Sequence, residues 1–162
     1  MERIGIYGGT FNPPHLGHIH AAQCAVSALG LDKLLLIPAN HSPGKQLHQG
    51  AASGEHRLAM LKLACMNDLR MQPDDTELVR GGESYTVQTL QTLSRQYPQD
   101  TLHLFMGTDM FLSFHTWRNP ERIFQKAALG VFYRGDRGEV DAIAQQKEKL
   151  EAMGAHVQLV EN

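Results

Sequence analysis

The sequence predicts an α/β fold, a parallel sheet with helices on both faces, and three observations carry it. Short apolar runs alternate with longer amphipathic stretches along the whole chain. The first run, Ile4-Gly5-Ile6-Tyr7, ends in Gly8-Gly9 and leads straight into a helical pattern. The 162 residues match one domain on a prior of about 150 residues per domain, with no repeat, low-complexity tract or linker. Strand–helix alternation within one domain implies parallel strands joined by right-handed crossovers.

The elements follow in order. Ile4 to Tyr7 reads as a buried strand entering a tight turn at Gly8-Gly9. Residues 14–29 read as an amphipathic helix with Leu16, Ile19, Cys24 and Val26 among its apolar members. Pro14 suits the first turn, where a missing N–H costs nothing, and Gly30 is the terminator. Leu34 to Pro38 is a second buried strand. Residues 39–53 carry breakers and no period, a loop of the length that binds or covers something. Residues 55–66 form a helical pattern, with Leu58, Leu61 and Ala64 on shared faces and Ser53 as its cap. A polar patch without an assigned element follows. Then come a helix at 85–96, a strand at 101–106, short helical pieces at 109–114 and 120–126, a strand at 127–133, a helix at 140–153 and a strand at 156–160. Ligands of such sheets bind beyond the carboxyl ends of the strands, where the strand order reverses. The loops after Tyr7, Ile37, Met106 and Tyr133 are therefore the places for a site.

Composition narrows the function classes. Fifteen basic and seventeen acidic residues leave a formal charge of −2, which supplies no long-range field for nucleic acid or an anionic membrane. Any recognition of phosphate must be local. Two cysteines, Cys24 and Cys65, make no disulfide scaffold and read as buried, reduced thiols. The start, Met1-Glu2-Arg3-Ile4, lacks an apolar leader core, and no stretch reaches about 18 apolar residues. A cytoplasmic protein is the expectation. Met60, Met66 and Met71 read as core filler, and Glu148, Lys149 and Glu151 as a solvated helix face.

The chemistry concentrates in Gly8-Gly9-Thr10-Phe11-Asn12-Pro13-Pro14-His15-Leu16-Gly17-His18. Glycines without Cβ atoms let backbone N–H groups approach an anion, and the helix that follows presents orphan N–H groups and a positive dipole end. His15 and His18, three residues apart, project from one face of its first turn, and Gly17 between them leaves room for a bulky ligand. A single histidine here reads best as a surface or capping group. The pair inside a glycine-rich turn reads as a phosphate site. A Walker loop is excluded, since Ala39 and Gln46 stand where its glycine and hydroxyl would flank Gly44-Lys45. Gly5, Gly8 and Gly9 do not have the dinucleotide fingerprint spacing. A zinc site on the two histidines lacks further ligands nearby, so no protein-held metal is expected.

That segment resembles the histidine-x-glycine-histidine signature of nucleotidyltransferases, and most closely that of the bacterial nicotinate-nucleotide adenylyltransferases. Glu77-Leu78, Ser84-Tyr85-Thr86 with Thr89-Leu90, and Gly107-Thr108-Asp109 followed by Phe114 and Trp117 resemble the same family. The likeness spans nearly the whole chain. It implies a Rossmann-like nucleotidyltransferase fold over residues 1–162. It also implies transfer of the adenylyl group of ATP to nicotinate mononucleotide, with magnesium accompanying ATP, yielding nicotinate adenine dinucleotide and pyrophosphate. In-line attack by the mononucleotide phosphate on the α-phosphorus needs positioning and charge stabilisation rather than an enzyme nucleophile.

The resemblance assigns His15 and His18 to catalysis and places Gly8, Gly9, Thr10, Phe11, Gly107, Asp109 and Arg134 at ATP. Lys45 reads equally as a mobile positive charge on ATP or a solvated surface lysine. Asp109 suits ribose hydroxyls or a helix cap, and Arg134 suits phosphate or open solvent. Tyr85 and Thr86, at a helix start after Gly81-Gly82, would hold the nicotinate carboxylate on backbone N–H groups, while Ser84 or Thr86 would serve equally as a plain cap. Trp117, the one tryptophan, would stack on the nicotinate ring; its bland reading is helix packing.

Members of the family carry a second phosphate motif, a serine-threonine run and an arginine, near their C-terminus. The sequence shows no equivalent before Asn162. Two alternatives follow: a non-catalytic nucleotide-binding domain, and a related transferase with another phosphate acceptor. Trp117 with Ser84-Tyr85-Thr86 speaks against the second. Homo-oligomerisation and the choice between nicotinate and nicotinamide stay open.

Overall fold

A computed structural model describes residues 1–41 and 51–162. Six strands make one sheet: β1 (Arg3–Gly9), β2 (Lys33–Pro38), β3 (Met71–Pro73), β4 (Thr101–Gly107), β5 (Ala128–Tyr133) and β6 (Val157–Glu161). Among the described residues seven α-helices join them: α1 (Leu16–Leu29), α2 (Gly54–Ala64), α3 (Thr76–Arg80), α4 (Thr86–Gln96), α5 (Thr108–Leu112), α6 (Pro120–Lys126) and α7 (Arg137–Ala152). A 3-10 turn, Phe114–Thr116, follows α5.

All strand pairs are parallel, in the order β3-β2-β1-β4-β5-β6. The chain builds outward from β1 through β2 to β3, then returns to lay β4 on the other side of β1. That reversal puts the switch point between the carboxyl ends of β1 and β4.

Each face of the sheet covers its own core. One buries Ile4, Ile6, Leu35, Leu104 and Val131 against Leu90, Leu93, Phe111 and Ile143. The other buries Leu34, Leu36, Phe105 and Phe132 against Ala21, Ala22, Ala25 and Val26 of α1 and Leu61 of α2. Alternation along each strand sends successive side chains to opposite cores, so both faces of the central strands read as apolar. Phe105 lies directly over Gly130, where an added Cβ would stand 2.4 Å from its ring.

Several expected boundaries shift. Gly8 and Gly9 are the last two residues of β1, not the turn, which runs from Thr10 to His15. The left-handed residue in that turn is Phe11, at φ 51°. Pro14 precedes the helix, whose N-cap is His15. Leu16 is 87% exposed, and α1 packs through alanines instead. Met66 is exposed too, while Met71 is buried and Cys24 is only half-buried. The polar patch after α2 holds β3 and α3, both too short for a period to show. Gly30 ends α1 in the left-handed conformation as expected, and Ser53 caps α2 by accepting from the His56 N–H. No helix among the described residues is long and apolar enough to cross a membrane.

Candidate active site

The switch point is tipped by glycine on both sides. β1 ends at Gly9 and the neighbouring β4 at Gly107. Nothing within 4 Å would meet a Cβ at Gly107, and the nearest atom to one at Gly8 is the Ile37 carbonyl at 3.8 Å. The backbone at Gly8 and Gly107 is therefore open to an approaching ligand, while Gly9 lies against the Phe11 ring. Beyond β1 the chain turns through Phe11 into α1, whose first turn carries no acidic residue to neutralise its N-terminal dipole.

The two histidines are locked together. The His15 N–H donates to His18 Nδ1 at 3.0 Å. The two rings stack with centroids 3.7 Å apart and planes 19° apart. Because Nδ1 accepts, a neutral His18 ring carries its proton on Nε2. Burial, and then the charge of His15, push the His18 pKa down to about 4. At neutral pH His18 is thus an uncharged donor through Nε2–H. Phe11, 3% exposed, sets its ring edge-on to His18 at 4.9 Å. Its side chain is a buried support for His18, which leaves its backbone for a ligand. A Cβ at Gly17 would lie 2.9 Å from His15 Cε1, so the missing side chain makes room for the His15 ring.

Asp109 lies exposed in the first turn of α5, and the N-cap is Gly107, so Asp109 is not a cap. Its neighbour Thr108 donates to the Phe132 carbonyl and meets the Glu139 carboxylate. That carboxylate also accepts from the Arg134 backbone N–H at 3.3 Å, and these bonds hold it below the usual carboxylate range. The Arg134 side chain is exposed at the carboxyl end of β5, on the same edge of the sheet. Lys45 lies outside the described residues.

A second cluster forms at the start of α4. Its N-cap is Tyr85, with no side-chain cap, so the Thr86 amide at the helix start has no helical partner. Neither Ser84 nor Thr86 caps the helix. The Ser84 hydroxyl instead accepts the Asn40 N–H at 2.9 Å, while Asn40 Nδ2 donates to the Gly82 carbonyl at 2.8 Å. Those bonds tie the end of β2 to the Gly82–Tyr85 segment. Beneath it, Thr89 Oγ1 donates to Glu77 Oε2 at 2.7 Å and accepts from Arg80 Nη2. Burial raises the Glu77 pKa against the lowering effect of those bonds. Trp117 follows the 3-10 turn, half-buried and tilted against Phe114 at 4.7 Å. The next residue, Arg118, lays its guanidinium over the Tyr85 ring at 4.0 Å. Tyr85 and the Trp117–Arg118 segment are thus brought together from distant parts of the chain.

One residue in this region escaped the sequence reading. Arg57 is 2% exposed, with its guanidinium on three main-chain carbonyls. Its place in phase with buried Leu61 on α2 and Cys65 at the helix's C-cap was the available signal. Asn40 also gave no separate sign, because its role comes from bonds between segments.

Comparison with known proteins agrees with this fold. A cytidylyltransferase-like family model matches residues 6–157. Among proteins named "Probable nicotinate-nucleotide adenylyltransferase", that of Shouchella clausii is 39% identical over 134 residues, covering 83% of this chain and 69% of the relative. The chain belongs to the nicotinate-nucleotide adenylyltransferase family. A like-named relative from Desulfatibacillum aliphaticivorans is 42% identical over 146 residues, 88% of this chain and 66% of its own length. One from Neisseria meningitidis is 35% identical over 94% of this chain and 74% of the relative. The chain therefore spans about two-thirds to three-quarters of the length of these family members. The fold is shared with a Plasmodium falciparum nicotinic acid mononucleotide adenylyltransferase solved with NaAD. That structure superposes at TM-score 0.76 and 17% identity, over all of this chain and 76% of its own.

Proposed function

We propose that the protein transfers the adenylyl group of ATP to nicotinate mononucleotide, releasing pyrophosphate and forming nicotinate adenine dinucleotide. The observation that carries the reading is the stacked His15–His18 pair at a glycine-tipped switch point, facing the N-terminus of α1. In this reading Gly8, Gly9 and the backbone of Thr10 and Phe11 receive the ATP phosphates. Asp109 at the Gly107 tip accepts ribose hydroxyls, and Arg134, with Lys45 from the long loop, adds positive charge at the phosphates. The Thr86 amide and Tyr85 hold the nicotinate carboxylate, and Trp117 stacks on its ring.

An oxygen of the mononucleotide phosphate attacks the α-phosphorus of ATP. The bond from that phosphorus to the bridging oxygen of pyrophosphate breaks, and pyrophosphate departs with its electron pair. Negative charge grows on the phosphoryl oxygens as this happens. The Nε2–H of neutral His18, His15 and the α1 dipole end are preoriented donors to it, which is where such catalysis gains most. No proton need leave His18, whose pKa near 4 suits a donor that stays neutral. Among the described residues no three His, Cys, Asp or Glu side chains are grouped to hold a metal ion. Magnesium enters as the ion that ATP brings on its own phosphates.

The reading covers residues 1–162 as one nucleotidyltransferase domain acting in the cytoplasm on two small substrates, without nucleic acid or membrane. Pyrophosphate release from this chain with ATP, magnesium and nicotinate mononucleotide tests it, with nicotinamide mononucleotide alongside. Turnover that is lost in His18→Ala supports adenylyl transfer. Quenching of Trp117 by nicotinate mononucleotide without turnover would leave a nucleotide-binding domain, and neither signal would overturn the nicotinate assignment.

A further inference from the structure

Arg57 joins three segments that the sequence keeps apart. Its Nη1 donates to the Thr10 carbonyl at 2.8 Å and to the Ala39 carbonyl at 2.7 Å, and its Nε to the Ala52 carbonyl at 3.2 Å. Thr10 opens the loop that leads to His15. Ala39 follows β2 and precedes Asn40, which is tied to Ser84 and Gly82 beside Tyr85. Ala52 closes the long loop, and its N–H reaches Asn12 Oδ1. The guanidinium faces no carboxylate among the described residues, and residues 42–50 contain no Asp or Glu.

A buried cation with no acid partner is costly, and a methionine of similar length would satisfy the packing. What the guanidinium adds is a rigid fork and a charge. Both bear on the main chain: a carbonyl bonded to a cation polarises its whole peptide group and strengthens that peptide's N–H as a donor. The peptide of the Thr10 carbonyl carries the Phe11 N–H, at the ATP loop. The peptide of the Ala39 carbonyl carries the Asn40 N–H, which already donates to Ser84 Oγ.

We propose that Arg57 is a positioning residue for adenylyl transfer, a single buried guanidinium that holds the nucleotide loop and the acceptor loop in register. This rests on the transfer reading above. One side chain spans both loops, so a shift in either is felt by the other, and the attacking phosphate and the α-phosphorus keep their alignment. Misalignment of about 1 Å is enough to cost orders of magnitude in rate.

The test compares the unmodified chain with Arg57→Met and with Arg57→Lys, the milder change should the first not fold. Steady-state kinetics are paired with amide spectra of the 15N-labelled proteins. In a folded variant kcat should fall by about 10-fold or more, with the KM for each substrate changing far less. The Phe11 and Asn40 amide signals should move together, more in Arg57→Met than in Arg57→Lys. A folded Arg57→Met with unchanged kcat, or with one of the two amides unmoved, would overturn the proposal and leave Arg57 a stabilising residue. If the unmodified chain gives no turnover, the transfer reading fails by itself. The paired amide shifts then decide whether Arg57 couples the loops.

Discussion

The ring of His15 lies 3.7 Å over the ring of His18, and the backbone N–H of the first residue donates to Nδ1 of the second. One residue thus fixes both the orientation of the other and the nitrogen that bears its proton. The contact also penalises charge on His18, because protonation would require burial of an imidazolium next to a second imidazole.

A dependence of stability on acid follows. His18 has its pKa lowered from 6.5 to about 4 on folding, so the unfolded chain binds the extra proton first. Its contribution is complete above pH 6.5 and is lost as pH falls through the interval toward 4. Thermal unfolding across that interval should show Tm dropping more steeply in the unmodified protein than in His18→Gln. Parallel curves would show that His18 is not a source of the acid sensitivity.

Gly17→Ala separates stability from function. Alanine inside a helix is ordinarily favoured over glycine by about 1 kcal/mol. Here its Cβ would meet His15 Cε1 at 2.9 Å and press the ring off its partner. The expected outcome is an unchanged or higher Tm with kcat/KM lower by about 10-fold, or ~1.4 kcal/mol of transition-state stabilisation. Kinetics beside a melting curve checks it; retained activity would mean that the stack is not needed.

Thr89→Val tests the buried triad under the acceptor segment. The Thr89 hydroxyl stands between Glu77 Oε2 and Arg80 Nη2, and Arg80 Nε and Nη1 have no other partner among the described residues. Valine keeps the shape and removes the bridge, leaving buried polar atoms unsatisfied. A loss of about 1–3 kcal/mol in denaturant unfolding is expected. So is weaker quenching of Trp117 by nicotinate mononucleotide, since the triad lies under Tyr85.

Much of the fold was legible because it follows from local chemistry. The runs ending at Pro38, Met106 and Tyr133 are strands, Gly30 terminates α1, and Pro120 opens α6, each as the residues themselves require. The polar stretch at 71–80 was not legible. A strand of three residues and a helix of five are too short for a period, and they form because β2 offers an edge for Met71–Pro73 to pair with. Leu16 misled for the opposite reason: it is apolar, but it faces solvent at the start of α1, while His18 on the same turn packs against Phe11.

The site divides along the same line. By itself the sequence determined the alternation that makes the sheet, the glycine pair that follows Tyr7 and the pair of histidines in one helical turn. All of these are set by neighbours in the chain. Only the tertiary structure decided that Gly17 makes room for His15, that Phe11 supports His18 from beneath, and that Tyr85 meets the segment bearing Trp117. It alone placed Arg57 where the ends of two strands and a returning loop expose carbonyls to one another. The Tyr85 and Arg57 relationships depend on segments far apart in the chain, which come within reach only when burial of the two cores brings the strand ends to a common edge.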